Sequence, residues 1–259
     1  MKNLTIFLFH FGLLLLFFAT NVYAHFGVVI PSDSMVSQED SREISLQLAF
    51  LHPFESIGMH LEEPASFTVN YAGNTTELKN QLKSFNLAKH TAWQTNYLIR
   101  KPGVYVFTMR PRPFWEPAEE TYIIHITKTI IAAFGEEKAW DKELGLETEI
   151  VPLSRPFGLY TGNIFQGIVK LNGNIVPYAK VEVEFYNIDQ KATVSSNFMI
   201  TQSIKADKNG VFSYAAPASG WWGFAALNSA NYKLPFNGEP KEVELGAVIW
   251  VKFHDFSKN

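Results

Sequence analysis

From His25 onward the chain is written in short apolar stretches, several of them alternating with polar residues and each cut by turn residues. Ile44, Leu46, Leu48 and Phe50 alternate with Ser45, Gln47 and Ala49, the period of two that turns one face of a strand toward a core. The run 66–71 alternates likewise and stops at Ala72-Gly73-Asn74. The run 96–100 stops at Lys101-Pro102-Gly103, and strands are predicted over 104–109 and 122–129. The pattern resumes over 164–171, 181–186, 199–206, 211–215, 223–227 and 243–253. Turns fall at Asn172-Gly173 and at Asp207-Lys208-Asn209-Gly210. The latter lacks the further acidic positions of a calcium loop, and Ala216 stands where its Glu would be. Many short strands at this spacing predict β-sandwiches. One segment departs from the pattern. Ala132, Ala133, Glu136, Glu137, Lys138 and Ala139 ahead of Gly145 predict a helix over 131–145, and Pro152 and Pro156 predict an extended linker over 146–158. The expected fold is mainly β. Two Ig-like or transthyretin-like sandwiches, 25–130 and 160–259, are joined by the short helix and linker of 131–159.

The first 24 residues read differently. Lys2, the apolar run 6–19 and the small-residue pattern Val22-Tyr23-Ala24 form a secretory signal peptide, with cleavage expected after Ala24. That cut would leave His25 first, and its α-amine and ring Nδ1 could close one chelate ring on a metal ion. The amine releases its proton near pH ~8, so neutral pH opposes binding only weakly. The plainer alternative is that His25 is simply the residue the cut leaves. No later run is long and apolar enough to span a bilayer, so the expected product is periplasmic, without stable membrane insertion. There is no cysteine, which excludes disulfides, thiolate metal sites and a lipidated mature terminus. A net charge of −3 with no basic tract argues against nucleic acid as a partner.

Without thiolates, a transition-metal site must come from histidines, aided by carboxylates or Met. Five of the six histidines beyond the signal lie before residue 130: His25, His52, His60, His90 and His125. His52, in Leu51-His52-Pro53-Phe54-Glu55, leaves the end of a predicted strand, a usual place for a site. Glu55, and Met59 beside His60, are candidate weaker ligands. His90 precedes Thr91-Ala92-Trp93. Period two puts His125 on one face with Ile123 and Thr127, either a polar face turned to solvent or a rigid strand-borne ligand. Pro113-Phe114-Trp115-Glu116-Pro117 reads as a rigid aromatic corner packed on the core. Trp115, Trp221 and Trp222 are candidate exposed aromatics for a glycan or protein partner, although Gly220-Trp221-Trp222-Gly223 reads more readily as the packed start of a strand. No Gly-x-Ser-x-Gly, P-loop or His-Glu-x-x-His motif is present.

Several blocks together resemble one family. These are His25-Phe26-Gly27, His52-Pro53-Phe54-Glu55, Gly103-Val104-Tyr105-Val106-Phe107, Phe114-Trp115-Glu116-Pro117-Ala118-Glu119, Ile123-Ile124-His125 and Thr148-Glu149-Ile150-Val151-Pro152. They are similar to the DUF4198 family, which includes periplasmic components associated with nickel and cobalt uptake. The second half, with Gly167-Ile168-Val169 and Asp207-Lys208-Asn209-Gly210-Val211-Phe212, also resembles carboxypeptidase-regulatory or transthyretin-like sandwiches. The resemblance implies a metal-binding protein, not an enzyme, that passes nickel or cobalt (with copper or zinc as alternatives) to an inner-membrane importer. It places His25, His52, His90 and His125 at motif positions and leaves His60 outside them. Two other readings compete with it. One is an exported module binding a glycan or a partner protein. The other is a copper enzyme, since copper-dependent polysaccharide monooxygenases also hold their metal with a terminal His and a second His on a β-sandwich.

Overall fold

The structure, a computed structural model, describes residues 24–256. In chain order its principal strands are β1 (Phe26–Pro31), β2 (Glu43–His52), β3 (Ser66–Tyr71), β4 (His90–Leu98), β5 (Gly103–Arg110), β6 (Phe114–Glu116) and β7 (Thr121–Ala133). They continue as β8 (Thr148–Pro152), β9 (Ile164–Leu171), β10 (Lys180–Phe185), β11 (Val211–Ala215), β12 (Gly220–Ser229) and β13 (Val243–His254). The fold is mainly β and sandwich-like, as the alternating runs predict.

One large sheet runs in the order β10-β12-β13-β7-β5-β3, so strands from both halves of the chain share it. β7 and β13 meet in parallel from Tyr122 opposite Val243 to Thr129 opposite Trp250. Because side chains alternate across a strand, this sheet offers two faces. Tyr105, Phe107, Ile123 and Ile131 pack against Leu46, Leu48 and Phe50 of β2, in the sheet formed by β1, β2 and β4. Val106, Ile130, Ala247, Ile249 and Phe224 pack the other way, against Ile150, Phe165, Val169 and Phe212 of β8, β9 and β11. The shared sheet is therefore covered on both faces, which is why β7 reads as a nearly continuous buried run rather than an alternating one.

The helix expected over 131–145 is absent. Ile130, Ile131 and Ala132 pair instead with Val106, Tyr105 and Val104 of β5 as the end of β7. Phe134, Gly135, Ala139 and Gly145 then adopt positive φ, which breaks any helical run. Glu149 draws the backbone N–H groups of Leu144 and Gly145 onto its carboxylate, where it also meets Lys128 Nζ at 2.7 Å. Ala, Glu and Lys favour helix by tenths of a kcal/mol per residue, and burial of the β7 end outweighs that. The 146–158 linker likewise contains β8, buried throughout. Trp221 and Trp222 are buried at the start of β12, as a packed strand start requires, and are not an exposed platform. Asp207 accepts from the backbone N–H groups of Asn209 and Val211, forming the expected hairpin turn.

β1 is the element that positions the site. All six of its residues are buried. Val29 joins the cluster of Phe67 and Phe107, while Phe26 and Val28 join that of Trp250, Val248 and Ala225. Trp250 donates its indole N–H to the Gly27 carbonyl at 2.8 Å. A Cβ on Gly27 would sit 2.2 Å from Thr127 Oγ1, so only glycine lets β1 lie this close to β7.

Candidate metal centre

Three imidazoles converge where the start of β1 meets β2 and β7. β1 and β2 pair antiparallel with Phe26 opposite Leu51, which sets His25 beside His52, ring centroids 4.6 Å apart. Phe50 contacts two of the rings, stacked on His25 at 5.7 Å and edge-on to His125 at 5.8 Å. His125 lies on the face of β7 that β1 covers, fully buried, so its side of the strand is interior rather than solvent-facing.

Two carboxylates complete the group. Glu116, on β6, accepts from His25 Nε2 at 3.0 Å, and Glu244, on β13, accepts from His125 Nε2 at 3.0 Å. His125 fits because Gly246 has no side chain: a Cβ there would come within 2.2 Å of the imidazole Cδ2. The His125 Nδ1 is buried with no hydrogen-bond partner in this structure. His52 Nδ1 stands 2.9 Å from the Ala24 carbonyl oxygen, which can only accept, so Nδ1 carries the proton.

Burial, then the neighbouring His52 and His125, lower the His25 pKa to about 4 against the opposing pull of Glu116 and Glu244. His52 is lowered mainly by burial. Both rings are thus held toward the neutral form that a metal requires. Burial pushes Glu244 up, but the hydrogen bond and charge of His125, with His25 and Lys180, leave it lowered overall. Glu119 is raised by burial and then by Glu244, Glu116 and Glu182. Carboxylates thus crowd one side of the cluster, a field that favours cations.

Of the sequence-predicted ligands, His25, His52 and His125 come together. His90 is exposed on β4, beside Gly58. His60 lies at a cavity of about 410 Å³ whose walls include Phe50 and Phe114, next to the cluster but outside it. Met59 packs against the core of β2 and β5, and Glu55 faces Glu184. Glu116 and Glu244, missed as site residues, are the new members. Glu116 lies in a family-like block; Glu244 is marked only by being an acid in an apolar run. Among the described residues, no group of three or more His, Cys, Asp or Glu side chains is placed so that it could hold a metal ion. His25 and His125 are turned onto carboxylates and His52 onto a carbonyl, while residues 1–23, with most of the expected signal, lie outside the description.

Among the described residues, no helix is long and apolar enough to cross a membrane. No curated protein matches the chain in sequence. Among solved structures, the Yersinia pseudotuberculosis adhesin InvE is similar over 85% of this chain and 58% of its own, at 11% identity and a TM-score of 0.25. The chain thus spans well under two thirds of that adhesin. A putative carbohydrate binding protein from Bacteroides uniformis is similar over 87% and 98%, at 10% identity and a TM-score of 0.24. The D00-D0 domain of Intimin is similar over 88% and 100%, at 11% identity and a TM-score of 0.20. Likenesses this shallow carry no functional argument. The family model of a domain of unknown function, DUF4198, matches residues 22–230, a span that holds His25, His52, Glu116 and His125, and the chain belongs to that family.

Proposed function

We propose that the protein is an exported, periplasmic carrier that captures one divalent ion, nickel or cobalt, at the His25–His52–His125 cluster and supplies it to an inner-membrane importer. The observation that carries this reading is the meeting of three imidazoles with two carboxylates on their outer nitrogens. A metal-binding histidine commonly gives its second ring N–H to a carboxylate, which fixes the tautomer and leaves the other nitrogen for the ion. Glu116 and Glu244 stand in that relation to His25 and His125. An ion would also satisfy the unpartnered His125 Nδ1. Three neutral imidazoles and two carboxylates balance a 2+ charge, and a nitrogen–oxygen set without thiolate suits nickel, cobalt, copper(II) or zinc.

Calorimetry of the chain beginning at His25, with Ni²⁺, Co²⁺, Cu²⁺ and Zn²⁺, tests the proposal. One ion per chain is expected, with binding lost in His52→Ala and His125→Ala and kept in His90→Ala and His60→Ala. Binding indifferent to His125→Ala would sink it. Peroxide release with Cu²⁺ and a reductant would favour the copper-enzyme reading instead. One observation favours an interaction module: Trp115 stacks on Phe236 at 3.9 Å beside Tyr122, all three only half-buried. Glycan binding indifferent to chelator and lost in Trp115→Ala would support it.

A further inference from the structure

The peptide bond marked for cleavage lies inside the histidine cluster. Ala24 is buried among Phe26, Ala49, Trp221 and Trp250, and its carbonyl oxygen is the one 2.9 Å from His52 Nδ1. The nitrogen of that same peptide unit belongs to His25. Oxygen and nitrogen of one peptide unit are about 2.3 Å apart, so His52 Nδ1 is within roughly 5 Å of that nitrogen. Two donors on opposite sides of one ion, with bonds of about 2.0–2.1 Å, stand about 4 Å apart. The two nitrogens thus need move about an ångström or less to share an ion. In the uncut chain neither can do so. The His52 Nδ1 proton is engaged by the Ala24 carbonyl, and the lone pair of an amide nitrogen is delocalised into its carbonyl.

We infer that the Ala24–His25 bond is the closure of the metal site: intact, it occupies both donors, and cut, it frees them to face one cation. This rests on the metal-capture reading above and adds to it that the site exists only in the processed chain. Folding then fixes whichever state it meets. Ala24 and Phe26 flank the bond and are buried, and β1 is paired with β2 from Phe26 onward. Proteases take exposed, extended segments, so the cut must come before β1 docks, and a chain folded uncut stays closed.

The test compares a chain starting at His25 with one keeping Ala24 as a single extra residue. Both are titrated with Ni²⁺ by calorimetry, and imidazole ¹⁵N NMR, with Zn²⁺ as the diamagnetic probe, follows the His52 Nδ1 proton. The His25 chain should bind roughly 100-fold tighter or more, since the amine and ring act as one chelate. Zn²⁺ should displace the Nδ1 proton only in that chain. Equal affinity in the two forms, lost in both with His125→Ala, overturns this inference and leaves the metal reading standing. Binding in neither form overturns the metal reading and this inference with it. An aminopeptidase that removes Ala24 from the folded chain as fast as from a free peptide of the same sequence would overturn the order of events.

Discussion

Glu116 and Glu244 turn three clustered histidines into an oriented set. Each accepts the Nε2 proton of one ring and so leaves Nδ1 as the donor. Glu116→Gln or Glu244→Gln should fold normally yet lower Ni²⁺ affinity roughly 10- to 100-fold in calorimetry, as loss of such outer partners typically does. His25 adds a pH dependence of stability. Its pKa of about 4 in the fold lies below the ordinary 6.5, so the neutral ring's contribution is fully present above pH 6.5. It is lost as the pH falls through about 4, because the unfolded chain takes the proton first. Urea midpoints of the metal-free chain should fall over that window, and less steeply in His25→Gln. His25, His52 and His125 are legible in the sequence because imidazole is rare and cysteine is missing. Glu116 and Glu244 are not, because nothing local separates a buried partner of histidine from a solvated acid.

β1, β7 and the turn after β2 decide whether the rings meet. Gly246→Ala on β13 would drive a methyl into the His125 ring. It should cost about 1–3 kcal/mol, as overpacked cores do, and abolish metal binding. Thermal melts together with calorimetry check both. The turn after His52 is fastened to the second half of the chain: Glu184 accepts from Phe54 N–H, Asn187 donates its backbone N–H to the Pro53 carbonyl, and Ser56 donates to the Asn187 carbonyl. Burial pushes Glu184 up to about 8, against the hydrogen bonds of Thr201 and Phe54. A carboxyl raised in the fold is stabilising below its unfolded value near 4.5, and that benefit is lost as the pH rises through about 8. Glu184→Gln should therefore stabilise the protein at pH 8 by on the order of 2 kcal/mol and change little at pH 4.5. A melting temperature unchanged at pH 8 would refute this. Strands such as β2 and β3 are legible from their period of two, whereas β1 and β8, buried throughout, carry no such alternation. The helix expected at 131–145 misleads, because its Ala and Glu content is a weak local preference opposed by the long-range pairing of Ile131 with Tyr105.

The two halves of the chain lean on one sheet, and the sequence carries no sign of it. The alternating runs show each strand but not its partner, and the parallel β7–β13 pair joins residues far apart in sequence without any turn to mark it. Each half buries its own face of that sheet, one against β2 and one against β9. The site obeys the same arrangement: His25, His52, Glu116 and His125 come from the first half, while Glu244 and Gly246 come from β13. An isolated segment 160–259 would expose the β13 edge and the apolar residues Val248 and Trp250, which Phe26 and Val28 cover in the whole chain. It should aggregate or lack fixed aromatic packing, seen as a weak near-ultraviolet circular dichroism. The whole chain should unfold in one transition with calorimetric and van't Hoff enthalpies equal, the mark of a single cooperative unit. Ni²⁺, if held at the proposed cluster, should raise that one midpoint rather than split it, since the cluster takes Glu244 from β13 as well as its histidines from the first half. Two resolved transitions, or a soluble and well-packed 160–259 segment, would show instead that the sheet joins two independent sandwiches and that the second half supports the histidine cluster only at its edge.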